Sequence, residues 1–236
     1  MTRPPRARLR KLLIVLGLGA AALSPGACSR ISATYAGPPP QPAGPRETYV
    51  AIGGAETLGF GAEDPRQTWT QILYRTAFPP RATMYVLATT GATVADALAA
   101  FAQQALGLKP TVVTVWLGLS DMEMGTPVNE FAQDARTLFR DLRRHGSTTV
   151  LVASLVTSAT GSICSGADCG LISAYDDALA QAASATGAVL VNVQLGVVAA
   201  AARHRGVELV LPGLNGLTPE GQVVVAGLFA AALRHR

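Results

Sequence analysis

The chain has 236 residues, 49% of them hydrophobic and 14% charged, and a formal net charge of +4. That charge is local. Arg3, Arg6, Arg8, Arg10 and Lys11 hold five of the 19 basic side chains, and no acid precedes residue 28. The remainder therefore carries 14 basic against 15 acidic groups, a balance that gives no basic face for nucleic acid.

Residues 1–27 read as a leader. Leu12 to Leu23 is an apolar run too short to span a bilayer, which needs about 20 residues, and it fits the core of a signal peptide. Ser24-Pro-Gly-Ala-Cys28 follows, with small residues before a cysteine, as in a bacterial lipobox. Pro25 stands where an aliphatic residue is usual. The expectation is a lipid on Cys28, which would become the mature N-terminus, so that a membrane is the partner and the cell envelope the location. Simple secretion with cleavage near Ser29 and an uncleaved anchor are the alternatives. Three cysteines make an odd count. With Cys28 acylated, Cys164 and Cys169 are left in an oxidising compartment, where a disulfide between them is expected. So tight a loop would contribute about 2 kcal/mol. A metal centre is the other reading of the pair, and with no His close by it is not expected; nor is any cofactor.

Residues 28–46 form a tether that includes Gly37-Pro-Pro-Pro-Gln-Pro-Ala-Gly-Pro45, too poor in apolar side chains to pack alone. One domain is expected over 47–236. Five apolar, β-branched runs mark strands: Tyr49–Ile52, Thr83–Ala88, Val112–Leu117, Thr149–Leu155 and Val189–Val193. Their near-continuous apolar character suits strands buried on both faces of a parallel sheet. Helical spacing lies between them, over Gln67–Thr76, Val94–Leu106, Asn129–His145, Leu171–Thr186, Leu195–Arg203 and Thr218–Leu233. Thr218-Pro219 starts the last helix, with Thr as N-cap and Pro at the first helical position. Strands alternating with helices predict a three-layer α/β/α sandwich.

The first strand leads into Gly53-Gly-Ala-Glu-Thr-Leu-Gly-Phe-Gly61. This stretch resembles the first block of the GDSL/SGNH hydrolases, a strand followed by G-D-S and then x-T-x-G-x-G. Gly53, Thr57, Gly59 and Gly61 match. The family's Asp falls on Gly54 and its nucleophilic Ser on Ala55. Later blocks follow in the family's order. Gly91, in Thr89-Thr-Gly-Ala-Thr-Val-Ala-Asp96, matches the glycine whose N–H joins the oxyanion hole. Gly118-Leu-Ser-Asp121 matches G-x-N-D, with Ser120 in place of the Asn donor. The final D-x-x-H aligns on Pro212–Gln222, so that the Asp falls on Gly213 and the His on Gly216.

The resemblance covers nearly all of 47–236. It implies a five-stranded parallel sheet in flavodoxin-like order, esterase ancestry, and a site lacking its catalytic side chains. His145, His204 and His235 are the three histidines, and none follows a strand directly. No Ser–His or Cys–His pair can be assembled from them. Glu56, Thr57, Asp64, Ser120, Asp121, Glu123 and Asn215 are the expected polar lining of the cleft. Asp121 reads as a carboxylate capping loop N–H groups. Glu56 with Asp121, acting as acid and base, is the other reading. The functional expectation is a non-catalytic binding or scaffold module at the envelope, for an acylated glycan or another acyl ligand. The alternative is an esterase working through a non-standard site.

Overall fold

In the computed structural model, β1 (Thr48–Gly53), β2 (Thr83–Ala88), β3 (Val112–Trp116), β4 (Thr149–Ala153) and β5 (Val189–Val191) form one parallel sheet in the order β2-β1-β3-β4-β5. The structure describes residues 46–144, 146–156, 168–203, 207–211 and 216–235. The leader, the tether with Cys28, Cys164, Gly213, Asn215, His145 and His204 lie outside them, as does the side chain of Cys169. Lipidation and the Cys164–Cys169 pairing therefore fall outside the described residues. Among these residues no helix is long and apolar enough to cross a membrane.

Alternate strand residues feed two cores, because successive side chains leave opposite faces of a strand. Val50, Ile52, Val113, Val115, Val150 and Val152 pack on one face against Phe131, Leu138 and Phe139 of α6 (Val128–Leu142) and Tyr175 and Leu179 of α7 (Asp168–Thr186). Tyr49, Ala51, Trp116, Leu151 and Ala153 pack on the other against Trp69 and Leu73 of α2 (Trp69–Ala77), Val197 of α8 (Val193–Arg203) and Phe229 of α9 (Pro219–Arg234). Trp69 stacks on Phe229 with ring centroids 4.7 Å apart. Sheet between two helical layers is the expected sandwich.

Local chemistry sets the helix starts. Thr218 accepts from the Gly221 N–H ahead of Pro219, as its sequence predicts. Thr93 and Asp96 form a capping box at α3 (Val94–Asp96), which continues through a π-helical turn, Ala97–Phe101, into α4 (Ala102–Gly107). Helix α2 begins two residues later than its periodicity suggests. Asp64 caps a separate 3-10 turn, Pro65–Gln67, and Thr68 then caps α2 through the Gln71 N–H. Two short helices had no periodic signal: α1 (Ala55–Leu58) and α5 (Leu119–Met124).

Burial on both faces holds for β1, β3 and β4 and fails for β2 and β5. Both are edge strands, with Tyr85 and Val86 of β2 and Val189 of β5 exposed. Strand β5 also stops at Val191, because the Asn192 side chain accepts the Leu195 N–H at the start of α8.

Candidate functional site

The chain turns back on itself between β1 and β3. From β1 it moves outward to β2, and from β3 it moves the other way to β4. In open α/β sheets such a switch point leaves a crevice beyond the carboxyl ends of the strands. A small pocket lies there, with room for about one water. It is lined by Gly54 and Glu56 after β1, Ala92 after β2, and Trp116 to Ser120 after β3. Three blocks distant in sequence thus share one wall.

Backbone bonds hold these blocks together. The Gly54 N–H donates to the Trp116 carbonyl at 3.3 Å, and the Thr89 N–H donates to the Gly53 carbonyl at 3.2 Å. Gly53 has to be glycine, since a Cβ there would lie 2.6 Å from the Trp116 oxygen and 2.0 Å from the Thr57 hydroxyl. Thr57 is buried, and its hydroxyl has no hydrogen-bond partner among the described residues. Gly91 turns the chain with φ +79° and open space around its α-carbon. Gly118, at φ +116°, brings the loop against Phe131 and Leu155, both 3.1 Å from where a Cβ would stand.

The two carboxylates named from sequence part company. Asp121 is 1% exposed, and both its oxygens accept the Val94 N–H, at 3.1 and 3.2 Å. It ties α5 to the first turn of α3. Burial pushes its carboxyl up to about 6, against the lowering effect of the hydrogen bond from Val94. Tyr175 donates to the carbonyl of Thr126 and more weakly, at 3.5 Å, to that of Asp121, which fixes α5 from below. Glu56 instead lines the pocket, with one carboxylate oxygen 3.1 Å from the point where a side chain on Gly54 would begin. Burial raises it to about 7; its own backbone N–H lowers it, and the charge of Glu123 on α5 raises it further. Glu123, also expected at the cleft from sequence, acts on Glu56 from α5, a pairing that nothing in the spacing shows.

Ala55 opens α1 and presents a methyl group. Ser120 lines the pocket from α5, whereas Ala55, Gly91 and Gly216 are not among the residues that line it. The last block meets the first through backbone. Leu217 N–H donates to the Phe60 carbonyl at 3.1 Å, Leu211 N–H donates to the Gly216 carbonyl at 2.9 Å, and Val210 and Leu217 form an antiparallel bridge. A Cβ on Gly216 would stand 2.9 Å from the Phe60 oxygen and 2.8 Å from its ring. Gly216 therefore has no space for a histidine. His235, the histidine that is described, caps the far end of α9, about 24 Å along the helix from Pro219. Among the described residues, no three His, Cys, Asp or Glu side chains gather as metal ligands.

Comparison with solved structures finds the same fold at low identity. The acetyl xylan esterase AlAXEase superposes with a TM-score of 0.66 and 14% identity, over 79% of this chain and 99% of that one. The psychrotrophic esterase EstA from Pseudoalteromonas sp., inhibited by monoethylphosphonate, gives 0.61 and 16%, over 80% and 97%. LAE5, an alpha/beta hydrolase enzyme from the metagenome of Lake Arreo, Spain, gives 0.60 and 18%, over 79% and 94%. No curated protein matches the chain in sequence. The model of the GDSL-like lipase/acylhydrolase family matches residues 43–221, most of the chain and all of the strands and blocks described above, and the protein belongs to that family.

Proposed function

We propose that the protein is an exported, lipid-anchored member of the GDSL family that no longer runs serine-esterase chemistry and serves as a binding or scaffold module at the cell envelope. The observation that carries this reading is the methyl group of Ala55 at the head of α1, where the family's motif sets its nucleophile. Nucleophilic catalysis needs an oxygen or sulfur with a base within about 3 Å. Gly216 has no room for a base, and Ser120 supplies a shorter donor than the amide it replaces. An acyl or acetylated-glycan ligand remains the favoured class because the fold is that of esterases. It would lie over the mouth of the pocket, whose interior takes little more than one water. The carboxylate alternative rests on Glu56 alone, because Asp121 is committed to Val94.

The test is hydrolysis of p-nitrophenyl acetate and acetylated xylan, together with labelling by a serine-directed phosphonate. No label and turnover far below the enzyme median of about 10 s⁻¹ are expected. Turnover near that median and blocked by the phosphonate overturns the reading. Turnover that resists the phosphonate and vanishes in Glu56→Gln replaces it with carboxylate catalysis.

A further inference from the structure

We propose that the outer edge of β2 is a dimerisation surface, on which β2 of a second copy pairs antiparallel about Val86 and joins the two sheets into one. Strand β2 ends the sheet and pairs with β1 alone among the described residues. The N–H groups of Thr83 and Thr89 donate to the carbonyls of Glu47 and Gly53 at 2.8 and 3.2 Å. Alternate residues of a strand serve alternate sides, so Met84, Val86 and Ala88 turn their N–H and C=O groups away from β1. No hydrogen bond reaches those groups among the described residues.

Edge strands are ordinarily protected by charge, proline, bulges or a covering element. Thr83-Met-Tyr-Val-Leu-Ala88 has no charge and no proline, and its register with β1 runs without a bulge from Thr48↔Thr83 to Gly53↔Ala88. Tyr85 is 40% and Val86 38% exposed. As neighbours they lie on opposite faces, so the edge is open and apolar above and below the sheet. A strand docked there must itself be apolar on both faces.

A second β2 meets that demand. Antiparallel pairing about Val86 sets Val86 against its own mate and Met84 against Ala88, once in each direction, so every outward group gains a partner. Arg81 is the one charged residue between Ala77 and Ala95. It lies in the turn before β2, so the two-fold sets it at the opposite end of the ladder from the mate's Arg81 and like charges do not meet. A two-fold contact also closes on itself. The other edge, β5, has three residues, and pairing β2 with it would be head-to-tail and open-ended. The Pro-rich stretch 37–45 has five prolines in nine residues and lacks the N–H groups a ladder needs.

Cysteine crosslinking of the full chain in the expressing cell tests this. Directly opposed residues of an antiparallel pair have Cα atoms about 5.5 Å apart, within disulfide reach. Under mild oxidation by diamide, Val86→Cys is expected to give a reducible dimer at least tenfold above both the unsubstituted chain and Tyr85→Cys, whose mate faces Leu87. Equal yields from Val86→Cys and Tyr85→Cys, or a monomer from both, overturn the proposal; the second result would follow if another strand occupies the edge. Sedimentation of the detergent-purified unsubstituted chain gives an independent answer. A dimer mass that Tyr85→Lys/Val86→Lys reduces to a monomer supports the proposal, and a monomer at about 100 μM refutes it.

Discussion

The Asp121→Asn variant isolates what a buried carboxylate does to this fold. Asp121 is almost wholly out of water and titrates near 6, where an unperturbed carboxyl titrates at 3.8. The folded state thus holds its proton more tightly than the unfolded chain does. The sign follows directly: with a raised folded pKa, stability is greatest below the unfolded value and declines as pH rises through 4 to 6. Near pH 7.5 the ionised group costs about 3 kcal/mol relative to its protonated form, at 1.36 kcal/mol per pH unit. Asparagine imitates the protonated acid, keeps one acceptor for the Val94 N–H and does not titrate. The stability of the variant minus that of the parent should therefore grow by about 2 kcal/mol between pH 4.5 and 7.5, a relative gain of roughly 4–8 °C in melting temperature for a domain of this size. Burial also raises Glu56 and Asp176, and taking the difference between variant and parent cancels their contributions. Calorimetry across that range measures it. Parallel pH profiles for variant and parent would show that Asp121 is solvated or paired in a way that the bond to Val94 does not describe.

Gly216→His, alone or with Ala55→Ser, should lose roughly 1–3 kcal/mol through collision with the Phe60 carbonyl and gain no esterase activity; urea unfolding and an acetate-release assay read both. Intact mass from a bacterial host should show residues 1–27 removed and diacylglycerol on Cys28, and thiol alkylation should find Cys164 and Cys169 blocked until reduction. A full-length mass, or two thiols alkylated without reductant, would remove the lipoprotein and disulfide readings respectively.

Much of this architecture is written in side-chain periodicity. The β1, β3 and β4 runs are nearly continuously apolar because helices cover both faces of the sheet, and α6 keeps its apolar stripe at Phe131, Ala135, Leu138 and Leu142. The same periodicity is silent about edges. Met84 to Ala88 reads like a central strand, and its exposure follows from sheet order, which depends on crossovers far away in the chain. The site shows a similar divide. Glycine spacing was enough to align the blocks. The separation of Glu56 from Asp121 was hidden, because it depends on α5, whose six residues are too few for a periodic pattern. Alignment alone set a histidine on Gly216, whereas the obstacle there is the backbone of Phe60, distant in sequence and joined to this block through the hydrogen bond from Leu217.

The motif residues that remain and those that are gone differ in what they do for the fold. Gly53 admits the Trp116 carbonyl and Thr57, Gly61 leaves 2.3 Å between its would-be Cβ and the Leu217 oxygen, Gly118 carries φ +116° against Phe131, and Asp121 anchors Val94. Each holds one block against another: a side chain on any of the glycines would strain backbone, and removing the Asp121 acceptor altogether would strand the Val94 N–H, at about 1–3 kcal/mol each. Of the replaced positions, Gly216 now carries such a demand, whereas Gly54 and Ser120 do not. Gly54 leads into α1 with only the Glu56 carboxylate near its would-be Cβ, and Ser120 borders the pocket. On the reading proposed above, such side chains can change at little cost to stability, whereas the glycines and the aspartate hold the blocks around the switch point together. If the proposed loss of serine-esterase chemistry holds, the contacts that join the blocks here are made by residues other than Ala55 and Ser120, so the architecture does not depend on those two positions.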